Sequence, residues 1–198
     1  CWGNNDDGQL GDGTTKPREG VVTVPGLEGV RALSVSDYRH ACAITEAQEV
    51  YCWGSLGNGG SLTPRKVEGL QGVTAIVSAQ VYACGIAAGE VWCWGQYLNT
   101  LPNFEPTRVE GLSNIVGLSG STFDTFALTA AGDVIAFDAS RGPYAPEPLP
   151  KTSAIAGGYV TTCAIASSTD EVLCNKALGT PSVEEAWLPV AGIVSSEK

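Results

Sequence analysis

Methionine is absent from these 198 residues, and histidine occurs once, at His40. Charged side chains are scarce, at 16%, with 11 Lys or Arg against 21 Asp or Glu and a formal net charge of −10. Each shortage excludes a class. A lone imidazole leaves no visible nucleophile–base–orienter set, and a zinc site needs about four converging ligands. So few cations do not make the basic face that phosphates require, so nucleic acid is not an expected partner. Disorder is excluded as well, because 43% of residues are hydrophobic and charge is low. No apolar run approaches the length that spans a bilayer, and membrane insertion is not expected. A chain that opens on Cys1 and lacks Met reads as a mature segment or a piece of something longer.

Repetition is what the sequence has in plenty. Cys-Trp-Gly occurs at 1–3, 52–54 and 93–95, with degenerate copies at Ala136-Phe137-Asp138 and Cys174-Asn175-Lys176, at offsets of 51, 41, 43 and 38. VPGLEGV (24–30), VEGLQGV (67–73) and VEGLSNI (109–115) keep step with it. So do HACAI (40–44), YACGI (82–86), DTFAL (124–128) and TTCAI (161–165). Three phrases in constant order at a period near forty mark a repeat architecture. The approximate units are 1–51, 52–92, 93–135, 136–173 and a partial 174–198.

Each unit divides into four short strand candidates, for example 73–79, 81–87, 90–95 and a stretch around 65–68 from the preceding unit. The first strand type is small throughout: Ala75, Ser78 and Ala79 match Ala32, Ser34 and Ser36, then Gly117, Ser119 and Gly120. Small side chains recur where backbones crowd. The last type carries Pro and charge, at 64–69, 105–111 and 145–150, and proline lacks the amide that a central strand needs. Crowded inner strands and charged outer edges at this period predict an all-β chain. The fold is a β-propeller of four-stranded antiparallel blades, about four full blades plus partial ends.

The run from Cys1-Trp2-Gly3 through Gly8-Gln9-Leu10-Gly11-Asp12-Gly13-Thr14, followed by Val24-Pro25-Gly26-Leu27 and His40-Ala41-Cys42-Ala43-Ile44, resembles the regulator of chromosome condensation repeat. The resemblance covers nearly the whole chain and is closest in the first two units. The signature of Gly8–Gly11 is lost in the third and fourth. Such proteins are usually closed propellers, commonly of seven blades. This chain starts at a third strand and stops in a stretch, 190–196, that aligns with first strands, so it reads as a segment of a larger propeller.

Six of the seven cysteines form neighbouring couples: Cys42 with Cys52, Cys84 with Cys93, and Cys163 with Cys174. Each couple flanks one predicted hairpin, and opposed residues on antiparallel strands approach to about 4.5–5.5 Å between Cα atoms, within disulfide reach. The third unit has Phe126 and Ala136 at the two positions; the pair is lost together, as covalent partners would be. Zinc ligation fails because the couples lie in separate blades, and buried free thiols do not account for the joint loss. Three disulfides predict an oxidising compartment, hence secretion or a cell-surface location. Cys1 is left unpaired.

No cofactor is expected. Asn4 to Gly8 followed by Asp12 invites a calcium reading, but the regular acidic spacing and the downstream bidentate Glu are missing, so turn formation is preferred. Trp2, Trp53 and Trp94 share one repeat position, which points to packing between blades. The resemblance gives His40 a structural role and places the residues entering each second strand on one propeller face. There Tyr38, Arg39, His40, Gln80, Tyr82, Phe123, Asp124 and Tyr159 change from unit to unit while the frame stays alike, as suits partner recognition.

The sequence therefore reads as a non-catalytic extracellular scaffold that binds a protein partner. Alternatives are an inhibitor of a secreted enzyme, by analogy with β-lactamase-inhibiting propellers of this repeat type, and a self-assembling subunit of an extracellular fibre or adhesin. Nucleotide exchange on a small GTPase, the activity for which the family is named, sits poorly with extracellular disulfides.

Overall fold

The computed structural model describes residues 1–36, 39–56, 60–96, 103–121, 124–138, 142–145, 149–158, 161–176 and 188–189. Among the described residues every regular element is a β-strand, and the strands form four sheets. Blade 1 contains β1 (Val30–Val35), β2 (His40–Thr45), β3 (Val50–Gly54) and β4 (Ser61–Lys66). Blade 2 contains β5 (Val73–Ser78), β6 (Tyr82–Ala87), β7 (Glu90–Gly95) and β8 (Asn103–Arg108). Blade 3 has β9 (Ile115–Gly120), β10 (Thr125–Thr129) and β11 (Val134–Phe137). Blade 4 has β12 (Thr152–Gly157), β13 (Thr161–Ala166), β14 (Val172–Lys176) and β15 (Leu188–Pro189). Each sheet is an antiparallel meander in chain order. Outside them, Gly3 pairs with Arg18 through two backbone hydrogen bonds, and Cys1 exchanges two more with Val22. These residues hold the third- and fourth-strand positions of a blade that precedes blade 1.

The repeat unit and the blade are out of phase. The unit boundaries at 52, 93, 136 and 174 fall inside β3, β7, β11 and β14, whereas the blades begin at Val30, Val73, Ile115 and Thr152. Strand limits also differ from the pattern at the sheet edge. β4 begins four residues before the expected 65–68 stretch, and Pro64 sits within it, as Pro106 does in β8. Both are edge strands, where a missing amide costs no ladder bond. In blade 3 residues 146–148 of the expected 145–150 edge stretch lie outside the described residues, and an isolated bridge joins Ala136 to Tyr144.

Second strands read as unbroken apolar or small runs because both of their faces are covered. Every residue of β2 and of β6 is buried, since a blade is sandwiched between its neighbours. Ile76 packs with Cys42, Ile44 and Trp94, while adjacent Val77 packs with Ala127 and Phe137 on the other side. The first strands sit against one another, which explains their small residues. Ser78 N donates to Ser34 Oγ at 2.7 Å, and a Cβ placed on Gly157 would lie 2.4 Å from the Gly120 carbonyl oxygen. At the outer rim, cross-strand ion pairs recur: Glu49 with Lys66 at 2.7 Å and Glu90 with Arg108 at 2.6 Å. Exposed pairs of this kind contribute little energy.

Two devices tie the blades together. Trp53 Nε1 donates to the Gln9 carbonyl at 2.9 Å, sealing the N-terminal strand pair onto blade 1. Trp94 Nε1 donates to Cys52 Sγ at 3.3 Å, joining blade 2 to blade 1. Within blades, Cys42–Cys52, Cys84–Cys93 and Cys163–Cys174 are disulfides, each between directly opposed residues with Cα atoms 4.1 Å apart. Three disulfides fit an oxidising environment.

Candidate functional site

The loops that enter the second strands share one backbone design. Ser36 N donates to the His40 carbonyl, Ala79 N to Tyr82, Ser121 N to Asp124 and Gly158 N to Thr161, all at 2.8–2.9 Å. Ser36 Oγ accepts from the amides of Arg39 (3.0 Å) and His40 (3.1 Å), and Ser121 Oγ accepts from Asp124 N at 3.1 Å. Serine at the loop start thus satisfies amides that the hairpin bend would leave unpaired. The first loop is one residue longer than the other three.

The glycine of Cys-Trp-Gly anchors this end of the blade. Gly54 has φ +83°, and a Cβ there would lie 2.2 Å from the Arg39 carbonyl oxygen. Only glycine allows the third strand to turn away so close to the first loop. Ser55 N then donates to that carbonyl, and Gln96 N repeats the bond to Val81 in blade 2. The loops before the second strands and those after the third therefore lie on the same face of the propeller.

Side chains proposed for this face divide into three groups. Arg39 is exposed, its Nε 3.5 Å from an Asp7 carboxylate oxygen, while Gln80 and Asp124 are half-buried and Asp124 accepts a hydrogen bond from the Tyr144 hydroxyl. Tyr38, Phe123 and Tyr159 lie outside the described residues. His40 and Tyr82 require correction: they are 1% and 2% exposed and do not reach a partner. Each is the first residue of its strand, and alternation puts it on the same side as Cys42 or Cys84, facing the next blade. Tyr82 uses that direction to place its hydroxyl 2.8 Å from Thr125 Oγ1 of blade 3.

His40 has no such partner. The residue of blade 2 equivalent to Thr125 is Ala83, which carries no hydroxyl, and neither ring nitrogen of His40 has a hydrogen-bond partner among the described residues. Burial pushes its imidazole down to about 3 from 6.5. The chain's single histidine is therefore a neutral packing group.

The Asn5–Asp12 segment is organised by its own side chains. Asn5 is fully buried; its Nδ2 reaches the carbonyls of Thr14 (3.0 Å) and Lys16 (3.1 Å), and its Oδ1 accepts from Leu10 N at 2.9 Å. A hydrogen bond from the Thr14 hydroxyl, together with the Arg18 guanidinium, holds the Asp12 carboxyl down to about 2. The Asn5 and Asp12 oxygens among those that suggested calcium are thus engaged in the turn. Among the described residues no group of three His, Cys, Asp or Glu side chains is placed to hold a metal.

No family model matches the chain. Among curated relatives, E3 ubiquitin-protein ligase HERC2 of Mus musculus is 31% identical over 112 residues, which is 48% of this chain and 2% of the ligase. The ultraviolet-B receptor UVR8 of Arabidopsis thaliana is 28% identical over 159 residues, 67% of this chain and 35% of the receptor. Of solved structures, human WBSCR16 superposes with TM-score 0.74 at 16% identity, over 96% of this chain and 61% of that one. Yeast RCC1 (Prp20) gives TM-score 0.66 at 16% identity, over 82% and 47%. The chain is thus similar in sequence and in fold to proteins of the regulator of chromosome condensation (RCC1) repeat. It spans about a third or less of these curated relatives' length.

The repeats also build a feature that their phrases do not announce. On the face opposite the loops described above, VPGLEGV lies beside the turn between β2 and β3. Together they frame an open groove of about 810 Å³ with Val24 and Leu27 in its lining and Glu28, Glu46 and Glu49 around it. Glu49 is engaged by Lys66 first and then by the Tyr51 hydroxyl, both of which hold its carboxyl below the usual range. Two separate segments must come together to make this groove, so no single stretch of sequence carries its signal.

Proposed function

We propose that this RCC1-repeat chain is a non-catalytic, extracellular protein-binding scaffold that uses the loops entering its second strands. The observation that carries the reading is constancy of frame with change of side chain. Four loops close through the same backbone hydrogen bond, yet they carry different polar residues, Arg39, Gln80 and Asp124, each at its own place in the loop. A rigid platform with different polar groups on each blade recognises an irregular protein surface without ordering itself on binding. Burial of the one histidine supports a role without acid–base catalysis, because a sealed imidazole does not meet a substrate. The disulfides support secretion or display at the cell surface. A structural relative, yeast RCC1 (Prp20), was crystallised bound to Kap60, which shows this fold in a protein complex.

The test is comparative cross-linking on the exterior of the producing cells with the parent protein and an Arg39→Ala/Gln80→Ala/Asp124→Ala variant. A specific partner should be retained about tenfold less by the variant, as expected for losing about 1.4 kcal/mol from the centre of a contact. Thr74→Ala, on an inner strand away from the loops, should retain it fully. Equal recovery by all three proteins would contradict the reading.

A further inference from the structure

His40 is a buried titratable side chain for which the loop face has no use. It points from blade 1 into the junction with blade 2, and neither ring nitrogen meets an acceptor or donor there. No charge faces it from the packed elements. On the blade 2 side, β5 and β6 carry no Asp, Glu, Lys or Arg. The Tyr82 hydroxyl of β6 is turned to Thr125 of blade 3, and Glu90 of β7 is paired with Arg108. On the blade 1 side, Arg31 of β1 donates to the Val73 carbonyl, and Tyr51 of β3 bonds to Glu49, which Lys66 of β4 holds. Arg65 of β4 lies over the Phe104 ring, and Arg39, beside His40 in the chain, stands with Asp7. A charged imidazole therefore has no counter-ion in the closed junction, and burial pushes it down to about 3 from 6.5.

We propose that the junction between blade 1 and blade 2 is an acid-operated joint: protonation of His40 holds the two blades apart at the loop-face end while both hairpins stay folded. The blades meet through side-chain packing and a few bonds, among them Trp94 Nε1 to Cys52 Sγ and Ser78 N to Ser34 Oγ. Each hairpin, by contrast, is closed by a continuous ladder and its own disulfide. Parting the blades thus exposes the imidazole without breaking β2 from β3 or β6 from β7. The proton enters in the open state, where the imidazole titrates near its ordinary value, so acid multiplies the open population. Between pH 7 and pH 5 that factor is about 25. The joint requires no partner at the loop face, so its failure leaves the proposed scaffold role standing.

Native-state hydrogen exchange followed by NMR at pH 7 and pH 5, corrected for intrinsic exchange chemistry, tests the joint. The Ser78 amide and the Trp94 indole N–H report it directly, because both are bonded across the junction. Their opening constants should exceed those of the β2–β3 ladder amides at both pH values and rise about 25-fold at pH 5. His40→Phe and His40→Gln do not titrate, so whichever of them folds should show no rise. Reporters no more open than the ladder at pH 5 would overturn the proposal, because the proton then enters only on global unfolding. So would the absence of a rise in the parent, or an equal rise in a His40 variant.

Discussion

Replacing Trp94 with Ala should lower the unfolding free energy by about 3–5 kcal/mol, the usual cost of emptying an aromatic site in a core. Trp94 is 1% exposed and packs in one cluster with Cys42, Ile44, Cys52 and Val73, so it belongs to both blade 1 and blade 2. The indole also loses its bond to Cys52 Sγ. Domains have about 5–15 kcal/mol in all, so this single truncation removes a large share. At about 2–4 °C per kcal/mol for a chain of this size, Tm should fall by roughly 6–20 °C. Trp2→Ala is the internal control. It removes the same residue type from the same phrase, but from a site that is 69% exposed, and should change stability by no more than about 0.5 kcal/mol. Urea unfolding of the two variants separates them. Equal, small effects would mean that the junction between blades is not what holds the repeats together.

Acidification should destabilise the protein before its carboxylates titrate. His40 is neutral when folded because burial lowers its imidazole from 6.5 to about 3, whereas in the unfolded chain it takes a proton near its ordinary value. Between those limits the unfolded state binds more protons, so stability falls as pH falls. The stability is fully present above about pH 6.5 and is lost at about 1.4 kcal/mol per pH unit below it, reaching about 3 kcal/mol near pH 4. Asp12 is held down to about 2 from 3.8, so its contribution is lost only at lower pH. Glu49 and Glu110 likewise begin to lose theirs only near 4.5. The window between about pH 5 and 6.5 therefore belongs to His40. Unfolding measured across that window should show the slope in the parent and its absence in His40→Phe. A flat profile in the parent would mean that the imidazole reaches water or a partner.

Much of this fold is legible as spacing. Cys-Trp-Gly marks β3 and β7 because one phrase must supply three things at once: a disulfide half, an indole for the preceding blade, and a glycine that clears the first loop. The paired loss at Phe126 and Ala136 is legible for a similar reason, since those residues stand opposite one another across β10 and β11. Direction is harder to read than position. His40 and Tyr82 sit where side chains vary, and variation suggested a surface. Counting two residues back from each cysteine along its strand would have turned both inward. The acidic groove beside VPGLEGV depends on tertiary apposition and leaves no local trace.

Disulfide mapping of the protein from its producing cells, alkylated before lysis and digested without reductant, tests the account at its centre. The covalent hairpins of three blades and the proposed extracellular location rest on the same three couples. Mapping should recover Cys42–Cys52, Cys84–Cys93 and Cys163–Cys174 as cross-linked peptides. Recovery of Cys42, Cys52, Cys84 and Cys93 as alkylated thiols would contradict it.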